Sequence, residues 1–338
     1  MSIVFMLQRV TGYKMISVKD IEKKQIIFVF LNYGEKISFS NDNIVIKDDV
    51  GKIKHQSTCY RLFILFVVGH LTVTTGLIQR SHKFGFVIYF MTPTLRIYDV
   101  LGIHNKGNVL LRKHQYEYND IEIAKWIVFN KIANQRTLLN LLRDKNYFQE
   151  NAIKKLDGYI NDVQRYSGNL SGLLGYEGSA ARTYFSNYFD NINWQGRKPR
   201  IKSDYVNSTL DIGYTILFNI IDAMLNIFGF DNYCGVLHRQ FYMRKSLTCD
   251  LVEPFRVLVD KQVRKAVNLG QIKAGDFTVV QNRYLLNWDD NALYVRLLLK
   301  PIMDNRGEIF KYIQDYYRAF MKQKPIEQYP FFRIEDTE

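Results

Sequence analysis

Three cysteines in 338 residues, Cys59, Cys234 and Cys249, are odd in number and far apart, and no C-x-x-C pair occurs. That argues against both a disulfide framework and a zinc knuckle, and a reducing cytoplasm suits such a chain. Long hydrophobic runs are also missing. The most apolar stretch, residues 62–68, lies between Arg61 and His70 and falls far short of the ~20 residues a membrane-spanning helix needs, so it reads as a buried strand. Residues 1–10 place Gln8 and Arg9 where the apolar core of an export signal would continue, and the expectation is a protein that is not exported. Neither internal repeats nor low-complexity segments occur, so two ordinary domains are the simple reading.

What is present is apolar mass and positive charge. A hydrophobic content of 47%, with 14% aromatics, is ample for two folded domains. The formal charge of +13 draws polyanions and speeds their encounter, so nucleic acid is the leading class of partner. The excess is spread along the chain, so it supports a binding site without locating one.

Between residues 25 and 101, β-branched and aromatic side chains gather in short runs (26–31, 37–39, 44–46, 60–68, 71–77, 86–91, 95–100) separated by Gly, Asn and Asp, which predicts strands. Turn chemistry at Asn41-Asp42-Asn43 and Asp48-Asp49-Val50-Gly51 points to antiparallel pairing. After Asn119 the period changes. Ile121, Ala124, Ile127, Val128, Ile132, Ala133, Leu138, Leu139 and Leu142 recur three and four apart, predicting a long amphipathic helix capped by Asn119-Asp120. Further helices are expected at 147–163, 180–189, 208–227, 251–268 and 308–321, with a loop at 193–203 that is either a connector or a DNA contact. The expected class is α+β: an antiparallel, β-sandwich-like domain over residues 1–105, then a larger, mainly helical domain over 106–338.

Two clusters carry chemistry. From His238 to Arg256 the chain places one histidine, the carboxylates Asp250 and Glu253, and the cations Arg239, Arg244, Lys245 and Arg256. Asp250 and Glu253 are three apart, on one side of a helix or its first turn, and can serve one site. D-x-x-E before an apolar run is equally a capping box, Asp250 capping and Glu253 reaching back, and taken alone that is the stronger reading. The second cluster sets Glu177 among small residues, followed by Arg182. Its plain reading is a glycine-rich helix junction with Glu177 paired to Arg182.

Together, Y-E-G-S-A-A-R-T-Y-F at 176–185, G-V-L-H at 235–238 and D-L-V-E-P-F-R at 250–256 resemble the CRISPR-associated spacer-acquisition integrase family, "Cas-one". The likeness extends to L-R-K-H-Q-Y at 111–116, E-I-A-K at 122–125 and K-I-A-N-Q-R at 131–136, and thus spans about residues 98–268. It implies that Glu177, His238 and Glu253 ligate a catalytic metal, with Asp250 an auxiliary catalytic carboxylate. Glu253 stands where some members have Asp, which lengthens the reach by one methylene. The resemblance also implies a β domain that dimerises, and a small "Cas-two" protein bridging two homodimers.

Two carboxylates and an imidazole suit Mn²⁺ or Mg²⁺ with open positions for phosphate oxygens, and the histidine favours Mn²⁺. Such an ion serves phosphoryl transfer by acidifying a hydroxyl and neutralising charge on the phosphate. Arg182, Arg239, Arg244, Lys245 and Arg256 are the expected phosphate contacts on double-stranded DNA, both the captured fragment and the repeat, and such contacts position DNA without reading its sequence. The expected reaction joins 3′-hydroxyl ends of short captured DNA to the repeat of a CRISPR array. Two alternatives stay open: a metal-dependent nuclease on branched or broken DNA, and a non-catalytic DNA-binding scaffold.

Overall fold

A computed structural model describes residues 17–102, 107–192, 194–238 and 241–335. The expectations placed on residues 1–10 and on Arg239 lie outside the described residues.

The first domain opens with a short helix, α1 (Val18–Glu22), whose N-cap Ser17 forms a capping box with Asp20. Strands β1 (Gln25–Phe30), β2 (Lys36–Ser40), β3 (Asn43–Lys47), β4 (Ile53–Thr58), β5 (Leu62–Val68), β6 (Val87–Met91) and β7 (Ile97–Leu101) follow, with α2 (Thr75–Phe84) inserted before β6. They form a three-stranded antiparallel sheet, β2-β3-β4, and a four-stranded sheet ordered β1-β5-β6-β7.

The four-stranded sheet departs from the antiparallel expectation, because β1 pairs with β5, and β5 with β6, in parallel. Every residue of β5 is buried, as a strand covered on both faces must be, and α2 supplies the crossover that a parallel β5–β6 pair requires. This also corrects the strand expected at 71–77. The Thr-rich stretch mimics strand composition, but the Thr74 hydroxyl accepts from the Leu77 N–H and starts α2.

Side chains alternate across the four-stranded sheet. Val29, Leu65, Val67, Ile88 and Phe90 face the three-stranded sheet and meet Ile44 and Ile46, giving a sandwich-like core. Ile64, Phe66, Val68, Tyr89 and Met91 point the other way, into one continuous core shared with the helices.

Helical structure begins at α3 (Val109–Glu117), followed by α4 (Glu122–Asn140), α5 (Tyr147–Arg165), α6 (Leu170–Tyr188) and α7 (Tyr205–Phe228). Next come α8 (Ser246–Val252), a 3₁₀ turn (Glu253–Phe255), α9 (Arg256–Asn268), α10 (Asn291–Asp304) and α11 (Arg306–Met321). A two-stranded hairpin, β8 (Phe277–Val280) with β9 (Arg283–Leu286), precedes α10. Asn169 caps α6 and Asp204 caps α7, each accepting a backbone N–H three residues on. Helix α7 is long and apolar enough to cross a bilayer, yet most of it is buried among α8, α9, α10 and α11, as a central core helix is. Gly213 permits its close approach to α9, since a Cβ there would lie 2.4 Å from Val259 Cγ1. In the loop at 194–203, Arg197 turns inward to Asp211 and Asn207 rather than outward.

One polar knot joins the two domains. Asp222 of α7, 1% exposed, accepts hydrogen bonds from Tyr89 of β6 (3.0 Å), Asn232 (2.7 Å), Thr248 (3.2 Å) and the Lys245 ammonium (2.8 Å). Burial of an ionised carboxylate is tolerable only with such compensation. Tyr89→Phe removes one donor from this buried charge and is expected to cost about 1–3 kcal/mol. Urea denaturation checks it, through a lower midpoint at an unchanged slope.

Candidate metal and DNA site

Helix α4 carries the residue around which the site is arranged, and sequence reasoning gave that residue no role. Lys131 is a buried lysine on α4, and its ammonium contacts Glu177 Oε1 on α6 and, at 2.6 Å, Glu253 Oε2 in the 3₁₀ turn. Arg256 holds the other oxygen of Glu253 at 3.0 Å, with its guanidinium 4.6 Å from the Tyr214 ring centroid. Glu253 is 4% exposed, so both oxygens of a buried carboxylate face protein cations. Burial alone would raise its pKa, but the charges of Arg256 and Lys131 outweigh it and hold the pKa down to about 2. Burial likewise disfavours the Lys131 ammonium, and Glu253 and Glu177 overcome that too, raising its pKa.

Asn130 and Asn134 flank Lys131 and fix the helix that carries it. Asn134 donates to the Pro254 carbonyl (3.2 Å), one residue past Glu253, and to the Phe332 carbonyl (3.0 Å), while its side-chain oxygen accepts from the Ile334 N–H. Asn130 exchanges two bonds with the Phe332 backbone, and the Trp126 indole donates to the Pro330 carbonyl. Residues 126, 130 and 134 are successive fours on one helix face, so α4 grips the extended segment 330–334 along that stripe. A polar stripe on the buried side of an apolar helix was the visible trace of this role.

The capping-box reading of Asp250 is not realised, because α8 already begins at Ser246 and Asp250 lies inside it. Asp250 is fully buried and instead receives the loop before the helix. Its carboxylate accepts the backbone N–H groups of Val236 (2.6 Å), Leu237 (3.0 Å) and His238 (2.9 Å), and faces His238 Nδ1 at 2.7 Å. With Nδ1–H donating to Asp250, the lone pair of Nε2 is left for a ligand, the arrangement usual for a metal-binding imidazole. Gly235 makes the loop possible: a Cβ would fall 2.7 Å from Asp250 Oδ2 and 2.8 Å from the His238 carbonyl oxygen. Thus G-V-L-H and D-L-V-E are two halves of one interlock.

Nor does Glu177 pair with Arg182. Arg182 is exposed on α6 and reaches Ser179 (3.4 Å). Arg244 is half-buried beside Ser246, whereas Lys245 and Arg256 point inward to Asp222 and Glu253. After His238 the chain exposes three consecutive large side chains, Phe241, Tyr242 and Met243, at 72%, 87% and 74%. Asp260 lies behind Arg256 and accepts from Tyr214 and from Tyr184 (3.1 Å), tying α9 to α7 and α6. Its burial pushes the carboxyl up to about 6.

The structure therefore brings Glu177 and Glu253 to one cation, while His238 is presented by the loop that Asp250 anchors, three residues before Glu253 in the same segment. Among the described residues, no three His, Cys, Asp or Glu side chains converge tightly enough to hold a metal as they stand, since an ammonium lies between the two glutamates. The donor chemistry nevertheless fits a divalent ion. Two carboxylates already share a cation, an imidazole has its distal nitrogen available, and the buried Oε2 of Glu253 makes no well-directed hydrogen bond.

Because the folded pKa of Glu253 lies below its unfolded value near 4.5, its contribution to stability is present above that value and is lost as pH falls towards about 2. Melting followed from pH 5 to pH 2.5 is expected to show a steep acid loss in the wild type and a shallower one in Glu253→Gln.

The family model for CRISPR associated protein Cas1 matches residues 28–298. A CRISPR-associated endonuclease Cas1 of Thermodesulfovibrio yellowstonii is 32% identical over 60% of this chain and 69% of its own length. Another, from Chlorobaculum tepidum, is 31% identical over 66% and 70%. Among solved structures, a CAS1 protein from Thermotoga maritima superposes with a TM-score of 0.73 at 19% identity, covering 87% of this chain and 96% of that one. The Cas6-RT-Cas1–Cas2 complex gives 0.76 at 24% identity, over 92% of this chain and 36% of that longer one. The match across most of both domains, joined to the interlocked motifs around Glu177, His238 and Glu253, shows that this chain belongs to the Cas1 family of CRISPR-associated proteins.

Proposed function

We propose that the chain is a metal-dependent DNA integrase of CRISPR adaptation, joining the 3′-hydroxyl ends of short captured DNA to the repeat of a CRISPR array by transesterification. The observation that carries this reading is the cation shared by Glu177 and Glu253 beside an imidazole oriented by a buried carboxylate. Glu177, Glu253 and Nε2 of His238 would hold the ion, Mn²⁺ or Mg²⁺, with Mn²⁺ favoured by the nitrogen ligand. When bound, it supplies neutralisation of charge at the phosphate and acidification of the attacking hydroxyl.

The chain's own residues do the rest. Asp250 fixes the imidazole tautomer and ring plane, and so acts as a positioning carboxylate. Arg256 keeps Glu253 ionised inside the protein. Arg182, Arg239 and Arg244 are the residues for flanking phosphates, whereas Lys245 and Arg256 serve DNA only through the ion pairs they hold within the site. The +13 charge draws the polyanion to the protein.

The fold neighbours include a Cas1–Cas2 assembly and a casposase bound to an integration product. In the same spirit the proposed partners are double-stranded DNA, a second copy of the chain through the β domain, and a small Cas-two protein bridging two dimers, in a prokaryotic cytoplasm. Curated relatives are named endonucleases, which favours strand cleavage, with water in place of the 3′-hydroxyl, as the second reading.

Strand transfer separates the readings. Protein and its small partner are incubated with end-labelled short duplex and a plasmid bearing the repeat array, with Mn²⁺ or with chelator. Label joined to plasmid, falling at least about a hundredfold in Glu177→Ala, His238→Ala and Glu253→Ala and lost with chelator, is the expected result. Cleavage without joining supports the nuclease, and metal-independent binding alone supports a scaffold.

A further inference from the structure

Among the described residues, Lys131 is the one cation that touches both glutamates. Glu253 satisfies its second oxygen through Arg256, so the protein has already compensated this carboxylate without any ion. A divalent ion and an ammonium cannot share the space between two carboxylates without strong mutual repulsion. Entry of the ion therefore requires the Lys131 ammonium to leave at least one of them. Lysine suits such a change, being a point charge on a flexible four-carbon stem, whereas a guanidinium is held as a planar fork. A displaced ammonium in a buried site needs a new anion, and here the arriving anion is a DNA phosphate.

We propose that Lys131 is a built-in counter-cation that competes with the catalytic metal, and that a DNA phosphate relieves the competition by accepting the displaced ammonium. The inference rests on the metal-site reading given above. Lys131 is thereby a positioning residue. It keeps two like-charged carboxylates together in the metal-free protein, and it makes metal binding and DNA binding mutually reinforcing. The protein then commits to chemistry only when DNA is seated.

The test uses the full chain and Mn²⁺ itself, titrated by calorimetry and by the paramagnetic resonance of free Mn²⁺, with a short duplex carrying 3′-dideoxy ends so that no joining occurs. Lys131→Met, of similar length but uncharged, is expected to bind Mn²⁺ at least tenfold more tightly than wild type without DNA. It is also expected to melt at a lower temperature without metal and to recover when Mn²⁺ is added. The duplex should raise Mn²⁺ affinity more in the wild type than in the variant. Equal Mn²⁺ affinity of the two proteins overturns the role of Lys131 while leaving the metal site standing, whereas absence of Mn²⁺ binding in both overturns the metal site beneath it. Should Lys131→Met fail to fold, Lys131→Gln takes its place in the same titrations: Mn²⁺ affinity equal to that of the wild type overturns the proposal, and tighter binding without DNA sustains it.

Discussion

The burial of Glu253 is the constraint on which the site depends. An ionised carboxylate with 4% exposure survives only because Arg256 holds one oxygen and Lys131 the other. Those two cations come from the helix that follows Glu253 and from α4, far away in sequence, so the charge can be compensated only when the helical domain is assembled. Glu177 enters the same cluster from α6 through the shared ammonium. A site built from three separate segments is thus an outcome of tertiary packing, held by electrostatics too strong to leave unmade in a low-dielectric interior.

Around that cluster the protein spends buried polar groups on alignment. Asn134 binds both the Pro254 carbonyl and the 330–334 segment, which sets the register of α4 against the 3₁₀ turn bearing Glu253. Asp250 collects three backbone N–H groups and the His238 ring, so the histidine is presented by a loop with little freedom. Asp222 links the neighbouring Lys245 and Thr248 back to Tyr89, which makes the β domain part of the support for the segment that bears Asp250 and Glu253. These networks leave the aligned side chains little freedom, because every buried polar group among them is held by a specific partner.

Much of this was legible in the sequence where local pattern and local cause coincide. The shift from strand-like to helical periodicity after Asn119 corresponds to the helix that starts at Glu122, whereas the helix at Val109–Glu117 precedes it and leaves no such period. Glu177, His238 and Glu253 are singled out in the sequence by the resemblance of their three motifs to the Cas1 family, since by local pattern alone D-x-x-E at 250–253 reads as a helix cap and the Glu177 segment as a glycine-rich junction. Legibility ends where long-range packing decides. Parallel pairing of β5 depends on the crossover helix α2, whose Thr-rich start looks like a strand. Asp250 has the spacing of a cap, and only the folded loop reveals that it binds backbone N–H groups twelve to fourteen residues upstream. Lys131 resembles any solvated lysine on an amphipathic helix until α6 and the 3₁₀ turn pack over it.

Whether Glu177, Glu253 and His238 make one divalent-ion site is tested most directly by anomalous diffraction from crystals grown with Mn²⁺. A single strong manganese peak is expected within ligation distance, about 2.0–2.3 Å, of a carboxylate oxygen of each glutamate and of His238 Nε2, with the Lys131 ammonium moved off at least one of them. A peak elsewhere, or full Mn²⁺ soaks that leave Lys131 seated between two unliganded glutamates, would contradict that site.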